Sequence, residues 1–275
     1  MSRKTNRITA CFARLQERER KALIPYILAG DPPGKTVEVM HQMVDKGADM
    51  IELGFPFSDP VADGPVIARA HERAVSHGVT LHDVFAMVSE FRERDNDTPI
   101  VLMGYLNPVE IMGYHRFVEL ASEAGVDGVL MVDLPPEAAG DLLDMLHERG
   151  MDMINLITPT TSDDRMAKIC RVASGYLYYV SLKGVTGAAT LNTADVEQRV
   201  NHIRHFANIP VCVGFGIRDG ASAAAIGRTA DGVIAGSVLV SELARYGSEG
   251  QAAIDRVAST IAEMRSAMDD DRMNE

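Results

Sequence analysis

The sequence predicts an α/β fold, namely a (β/α)₈ barrel, or TIM barrel, with an added N-terminal helix. Along the 275 residues, eight short apolar runs rich in β-branched side chains alternate with longer amphipathic stretches. The runs are apolar throughout, which is typical of parallel strands that are buried on both faces. Eight such units in a chain of this length match a closed barrel better than an open sheet.

The predicted strands and helices are separated by turn signals built from Gly, Pro and Asp. The strands are Ile24–Ala29, Met50–Leu53, Ile100–Gly104, Gly128–Val132, Met153–Ile157, Tyr176–Val180, Val211–Gly214 and Gly232–Ala235. The clearest helical spacing predicts Lys35–Lys46, Val109–Ala124, Pro136–Arg149 and Asp164–Ala173. Gly47, Gly125 and Gly150 follow three of these helices, where a glycine suits a left-handed cap.

The two ends of the chain carry further signals. Thr5–Glu19 has helical spacing ahead of the first strand and is the predicted added helix. No proline-rich linker or composition break divides the chain, so residues 1–275 are expected to form a single barrel domain. Residues 1–4 and about 268–275 are expected to be frayed, because the C-terminal stretch "MRSAMDDDRMNE" is strongly charged.

Composition narrows the function class and the location. The formal net charge of −12 argues against nucleic acid and anionic membrane as partners, because both attract basic surfaces. Cys11, Cys170 and Cys212 are odd in number and lack metal-ligand spacing, so we interpret them as reduced thiols rather than metal ligands. The start of the chain lacks the apolar stretch of a signal peptide, and no apolar run is long enough for a membrane span. A cytoplasmic protein is expected.

The segment "ELGFPFSDPVADGP" after the second strand places acids where no helix can form. Glu52 lies in an apolar strand and is either a structural carboxylate, capping an amide or pairing with a lysine, or a functional one. At a barrel mouth, partial desolvation would raise its pKa into a range useful for proton transfer. Asp59 is interpreted as a turn residue, whereas Asp63 is either a turn residue or a second functional carboxylate.

Glycine-rich stretches follow the last three predicted strands, in "SLKGVTGAAT", "VGFGIRDG" and "VIAGSVLV". In barrels, loops at this position and the start of a short helix commonly bind phosphate through backbone N–H groups. Gly214, Gly216, Gly236 and Ser237 therefore predict a phosphate site, with plain turns as the alternative. Aligned amides would let an acidic protein hold a phosphomonoester without a cluster of basic side chains.

With these motifs, the chain resembles the tryptophan synthase α-subunit family. The stretches "IPYILAGDP", "IELGFPFSDPVADGP", "GYLNPV", "GVDGVLMVDLPPEAA", "GVTGA", "VGFGI" and "GVIAGSVLV" occur in the family's order, from about Leu15 to Val240 and more loosely to Met264. The resemblance implies a carbon–carbon lyase that splits indole-3-glycerol phosphate into indole and glyceraldehyde 3-phosphate. It also implies that this chain needs no cofactor and that its partner is a pyridoxal-phosphate-dependent β subunit. In the resulting αββα tetramer, indole passes to the β subunit for condensation with L-serine to L-tryptophan.

The resemblance also assigns roles by position. Glu52 and Asp63 match the family's catalytic carboxylates, and Tyr178 matches a tyrosine beside the glutamate. Glu52 would move protons at indole C3 and at the glycerol hydroxyl, while Asp63 would accept the indole N–H. The positions implied for the indole side or the mouth of the site are Tyr26, Ile67, Met103 and Asp133. The positions implied for the phosphate loops are Gly187, Gly216, Gly236 and Ser237. The implied lid loop is Lys183–Leu191, which contains Thr186. For Tyr26, Ile67 and Met103, ordinary core packing is the alternative.

Departures from the family pattern and competing functions complete the expectations. Leu28 stands where the family often has threonine, Ala68 where glutamine is common, and the stretch after "GVTGA" lacks an arginine. One alternative is a different phosphate-binding barrel aldolase or isomerase, which would need a Schiff-base lysine or metal ligands at strand ends. Another is a non-catalytic subunit that only activates a partner. If the family function holds, the loops after strands two and six are expected to meet the β subunit.

Overall fold

The computed structural model describes residues 6–181, 193–214 and 216–272, which form a barrel of parallel strands surrounded by helices. The strands are β1 Ala22–Leu28, β2 Ile51–Gly54, β3 Ile100–Gly104, β4 Gly128–Met131, β5 Asp152–Met153, β6 Asn155–Ile157, β7 Leu177–Val180, β8 Val211–Gly214 and β9 Gly232–Ala235. Their order in the sheet is β5-β4-β3-β2-β1-β9-β8-β7-β6, with every pair parallel. The predicted (β/α)₈ barrel is thereby confirmed.

The ring is completed where β5 passes into β6. The predicted fifth strand, Met153–Ile157, is interrupted at Ile154, so that β5 pairs with β4 while β6 pairs with β7. The Ile154 N–H still donates to the Val129 carbonyl at 2.9 Å. The nine strands therefore occupy eight positions in the barrel, because β5 and β6 are the two halves of the predicted fifth strand.

Each of the four clearest predicted helices has a helical counterpart in the structure, but two of them differ in detail. The helices are α1 Arg7–Glu17, α2 Thr36–Asp45, α3 Pro65–Ser76, α4 Leu81–Arg92, α5 Leu106–Met112, α6 Tyr114–Ala124, α7 Gly140–Glu148, α8 Asp163–Val172, α9 Thr193–Arg204, α10 Gly220–Gly227, α11 Ser237–Leu243, α12 Tyr246–Glu249 and α13 Gln251–Arg272. The predicted helix Val109–Ala124 is two helices, α5 and α6, because Gly113 between them has φ +84°. The predicted helix Pro136–Arg149 begins as a 3₁₀ turn, Pro136–Ala138, before α7.

The last helix extends close to the C-terminal end. α13 continues to Arg272, and residues 273–275 lie outside the described residues. Met268 is 7% exposed, and Asp269 pairs with Arg265 and Arg20, so burial and ion pairs attach this part of α13 to the barrel. The expected fraying from about residue 268 stays a prediction. No helix in the described part of the chain is both long enough and apolar enough to cross a membrane.

Side chains of alternate strand residues fill the barrel interior. One apolar cluster joins interior residues such as Met50, Val101 and Tyr176 to Ile8 and Cys11 of α1. The added N-terminal helix therefore covers the end of the barrel where the strands begin, which we call the base. The opposite end, where the strands finish and their loops meet, is called the mouth.

Candidate active site

Glu52 lies inside the barrel on β2 and is completely buried. Its neighbours in sequence, Ile51 and Leu53, pack outward against the helices, so alternation turns Glu52 inward. Burial raises the pKa of Glu52 to about 8, and a hydrogen bond from Tyr176 opposes that rise. Within the part of the chain that the structure describes, no arginine or lysine contributes to this shift in pKa. Burial therefore favours the protonated form of Glu52, which is able to donate a proton.

The hydroxyl group that holds Glu52 belongs to Tyr176. This hydroxyl donates to Oε1 of Glu52, with 2.5 Å between the two oxygens, and Tyr176 is fully buried. Oε2 of Glu52 is buried and has no hydrogen-bond partner among the described residues. Tyr178 is the tyrosine selected from the sequence. Burial raises its pKa most, and the nearby charge of Glu52 raises it further, but its hydroxyl lies against Gly214. The role of Tyr178 in positioning Glu52 stays a prediction.

Asp63 lies near the end of the loop after β2 and is held by side chains from two other elements. The Tyr105 hydroxyl, just after β3, donates to Oδ2 of Asp63 at 2.8 Å and accepts the Ala62 N–H at 3.0 Å. Nε2 of His71 on α3 lies 3.5 Å from the same Oδ2. Burial raises the pKa of Asp63, while the Tyr105 hydrogen bond lowers it. Tyr105 and His71 were not selected as site residues from the sequence.

The two carboxylates lie near the same tyrosine, Tyr26. Burial first, and then the charges of Asp63 and Glu52, raise the pKa of Tyr26 well above its usual range. Tyr26 pairs in register with Glu52 on the neighbouring strand. It packs with Ile67 and Met103 in an apolar cluster at the mouth. The structure therefore places Glu52 and Asp63 close enough to Tyr26 to act on its pKa, and it places Ile67 and Met103 in the same apolar cluster as Tyr26.

Two acidic residues near the mouth have other contacts. Asp133 is exposed and accepts the Leu106 N–H at 2.8 Å, which caps the start of α5. Its predicted place at the indole side stays a prediction. Asp59 is exposed, and its contacts are local: its carboxylate accepts from the Ser58 hydroxyl, and its carbonyl accepts from the Val61 N–H. This geometry is that of a turn residue.

Glycines at the ends of the last strands leave room for neighbouring groups. A Cβ on Gly214 would clash with the Tyr178 hydroxyl, and one on Gly236 would lie 3.4 Å from the Tyr26 ring. Gly216 has φ +80°, a conformation that favours glycine. Ser237 is the first residue of α11, where backbone N–H groups have no partner within the helix. Gly187, Thr186 and the predicted lid Lys183–Leu191 lie outside the described residues.

The sequence contained only part of the signal for this arrangement. Glu52 was detectable because a charge within an apolar strand is unusual. The role of Tyr176 could not be predicted, because a tyrosine at the start of an apolar strand is equally consistent with a core-packing residue. His71 and Tyr105 approach Asp63 from α3 and from the end of β3, so their role depends on the packing of three separate units.

The fold is a (β/α)₈ barrel, an architecture common among enzymes whose active sites lie at the mouth, and two acids lie beside an apolar cluster there. A sequence profile described as "Tryptophan synthase alpha chain" matches residues 12–269. The chain belongs to the tryptophan synthase alpha chain family.

Individual relatives agree with this assignment. The tryptophan synthase alpha chain of Methylococcus capsulatus is 55% identical over 265 residues, covering 96% of this chain and 99% of that protein. The alpha chain of Marinobacter nauticus is 54% identical over 265 residues, covering 96% of this chain and 98% of that protein. The crystal structure of tryptophan synthase subunit alpha from Legionella pneumophila has a TM-score of 0.91 at 43% identity and covers 97% and 99% of the two chains. A chain of the tryptophan synthase a2b2 complex from Pyrococcus furiosus has a TM-score of 0.78 at 33% identity and covers 90% of this chain and 99% of its own.

Proposed function

We propose that Glu52 and Asp63 carry out the family's reaction in this chain, the retro-aldol cleavage of indole-3-glycerol phosphate to indole and glyceraldehyde 3-phosphate. One observation supports this most strongly. Glu52 is a fully buried carboxyl with a pKa raised to about 8, and burial together with the charges of both Asp63 and Glu52 raises the pKa of Tyr26. A structural ion pair would have lowered the pKa of Glu52 instead.

Glu52 serves as acid and then as base. Its carboxyl proton goes to indole C3, where the aromatic π electrons form the new C–H bond and leave an indolenine cation. The resulting Glu52 carboxylate then removes the proton of the glycerol hydroxyl. The electrons of that O–H bond form the aldehyde, the C–C bond breaks, and its electrons restore the indole ring. One proton leaves and one returns, so Glu52 ends the cycle as it began.

Asp63 stabilises the intermediate. Positive charge develops at the indole nitrogen when C3 is protonated, and a fixed carboxylate that accepts the N–H lowers the energy of that state. Asp63 is suited to this role, because Tyr105 donates to one of its oxygens, His71 lies beside the same oxygen, and neither group carries a charge that would cancel that of Asp63. Tyr26, Ile67 and Met103 supply the apolar surface for the indole ring.

The phosphate end of the substrate is expected to bind at the loops that follow the last three strands of the barrel. Gly216, Gly236 and Ser237 follow the ends of β8 and β9, where their backbone N–H groups and the Ser237 hydroxyl would bind the phosphate. Gly187 from the loop after β7 completes this predicted set. Because amides rather than arginines would hold the phosphate, the interaction fits a chain with a net charge of −12.

The partner of the family is the β subunit, which carries the pyridoxal phosphate. The Pyrococcus furiosus relative acts in an a2b2 complex with mutual activation, and we infer the same assembly here. Val61 in the loop after β2 is 88% exposed, and Ile111 on α5 is 81% exposed. Two large apolar side chains in water beside the mouth mark the surface that the β subunit would cover. A cytoplasmic location is supported by three free cysteines.

The test is release of indole from indole-3-glycerol phosphate by the purified chain, alone and with a β subunit. Asp63→Asn should lower kcat about 100-fold or more, because an amide cannot stabilise the cation as a carboxylate does. Asp59→Asn is the matched control in the same loop and should change kcat less than about threefold. Absence of cleavage by the wild-type chain in both conditions would reject the function. Equal loss in both variants would reject the role of Asp63.

A further inference from the structure

His71 has a side chain that is 2% exposed, and it connects both ends of the loop after β2. Its Nδ1 accepts the N–H of Phe57, near the start of the loop, at 3.0 Å. Its Nε2 lies 3.5 Å from Oδ2 of Asp63, near the end of the loop. One ring from α3 therefore contacts two loop residues that are six positions apart in sequence.

These contacts determine the tautomer of the imidazole. A nitrogen that accepts a backbone N–H carries no proton, so the single proton of the neutral ring is on Nε2, the ring nitrogen that lies 3.5 Å from Oδ2 of Asp63. Burial lowers the pKa of His71 to about 4, which keeps the ring neutral in the physiological range. A neutral donor fixes a carboxylate without cancelling its charge, whereas a lysine or arginine at this position would neutralise it.

Tyr105 reinforces the same arrangement. Its hydroxyl donates to Oδ2 of Asp63, the oxygen that His71 also approaches. Its ring stacks on Phe57 with centroids 5.2 Å apart and meets His71 edge-on at 6.3 Å. The Tyr105 hydroxyl and Nε2 of His71 therefore lie near the same oxygen atom of Asp63, and the aromatic contacts pack the two rings against each other.

We propose that His71 is a positioning residue, whose Nε2–H joins the Tyr105 hydroxyl on Oδ2 of Asp63 and thereby leaves Oδ1 as the acceptor for the indole N–H. This inference rests on the proposed role of Asp63. His71 touches neither the substrate nor the reacting atoms; it acts through the orientation of the Asp63 carboxylate. The expected signature is a loss in kcat with little change in KM, because substrate is held mainly at the phosphate loops.

Steady-state cleavage of indole-3-glycerol phosphate by His71→Leu and His71→Asn tests this role. Leucine fills similar space but has no donor, so kcat should fall about 10- to 100-fold while KM changes less than about threefold. Asparagine retains one donor and one acceptor and should recover kcat to within about fivefold of the wild type. Urea unfolding of each variant shows whether it is folded under assay conditions.

The outcomes separate the two proposals. A wild-type chain that cleaves the substrate, with His71→Leu folded and equally active, would overturn the role of His71 and leave the proposed function intact. Equal losses in His71→Leu and His71→Asn would also overturn it, since the donor would not matter. Failure of the wild type to cleave would reject the proposed function itself.

Nitrogen NMR of the histidine rings gives a test that needs no mutation at position 71. In the wild type, the His71 ring should show the Nε2–H tautomer from pH 6 to pH 9. In Asp63→Asn, the Nε2 and attached proton resonances should shift while the tautomer is retained. An Nδ1–H tautomer in the wild type, or no response to Asp63→Asn, would contradict the proposal.

Discussion

The base and the mouth of the barrel both bury carboxylates, but they surround them differently. At the base, Asp127 accepts from Arg92 and Arg7 at 2.9 Å each, and Asp49 accepts from Arg265 at 3.1 Å. At the mouth, Glu52 and Asp63 are held by tyrosine hydroxyls and a neutral imidazole.

The two ends differ in the groups that oppose the rise in pKa caused by burial. Burial raises the pKa of all four carboxyls, but only at the base do arginines act against it. A carboxylate paired with a buried cation is held ionised and joins elements together. At the mouth no described cation opposes burial, so burial favours the protonated form of Glu52, while the hydrogen bond from Tyr105 supports the charged form of Asp63. The same residue type thus stabilises the fold at one end and supports chemistry at the other.

The largest expected contrast involves two acids on either side of the start of β2. Glu52→Gln should lower kcat for indole-3-glycerol phosphate cleavage about 10²- to 10⁴-fold, because an amide cannot donate or accept the transferred proton. Asp49→Asn at the base should leave kcat within about threefold but lower the free energy of unfolding, because Arg265 loses a charged partner. Steady-state assays and urea titrations measure both. Similar activity in Glu52→Gln and the wild type would show that Glu52 is not the proton shuttle.

The arginine network at the base should matter for stability alone. Arg92→Met should lower the free energy of unfolding by about 3–5 kcal/mol, because it removes a buried cation that bonds Asp127 and the carbonyls of Gly125 and Thr98. Arg116→Met, which breaks an exposed pair with Glu119, should cost less than about 1 kcal/mol. Urea unfolding distinguishes them. Equal effects would mean that burial of the ion pair between Arg92 and Asp127 adds nothing to its contribution to stability.

The raised pKa of Glu52 predicts how stability depends on pH. Between its usual value of 4.5 and about 8, the folded state binds a proton at Glu52 that the unfolded state releases. The contribution of Glu52 to stability is therefore fully present below about pH 4.5, falls as pH rises, and levels off above about pH 8.

Glu52→Gln removes this titration. The difference in unfolding free energy, variant minus wild type, should grow by about 2–4 kcal/mol between pH 5 and pH 9. Urea titrations at intervals of one pH unit measure it. A constant difference over this range would mean that Glu52 is ionised throughout and behaves like the carboxylates at the base.

The smallest expected effect concerns the surface around the mouth. Val61→Asp and Ile111→Asp should each weaken binding of the β subunit about tenfold, because each places a charge in the proposed interface. Val75→Asp is the matched control, since Val75 is also an exposed apolar residue, at 41%, but lies in the last turn of α3, away from the mouth. Gel filtration and titration with the β subunit measure the effect. Equal weakening in all three variants would place the interface elsewhere.

Much of the fold was readable in the sequence because it depends on local pattern. Alternating apolar and amphipathic segments predicted the barrel, and glycines with positive φ end α6 at Gly125 and lie at Gly47 and Gly150 as expected. The break at Gly113 was not predicted, because the apolar spacing continues across it. The interruption at Ile154 was missed for a similar reason, since it arises from how two neighbouring strands pair.

What the sequence alone determined about this protein was the order of its units, its family and the two carboxylates, since these depend on residue type, spacing and motif. Only the tertiary structure decided which groups surround those carboxylates. Tyr176 rather than Tyr178 bonds Glu52, and His71 and Tyr105 converge on Asp63. The physical reason is that a buried group's pKa depends on burial and on partners within a few ångströms, and packing brings those partners from distant parts of the chain.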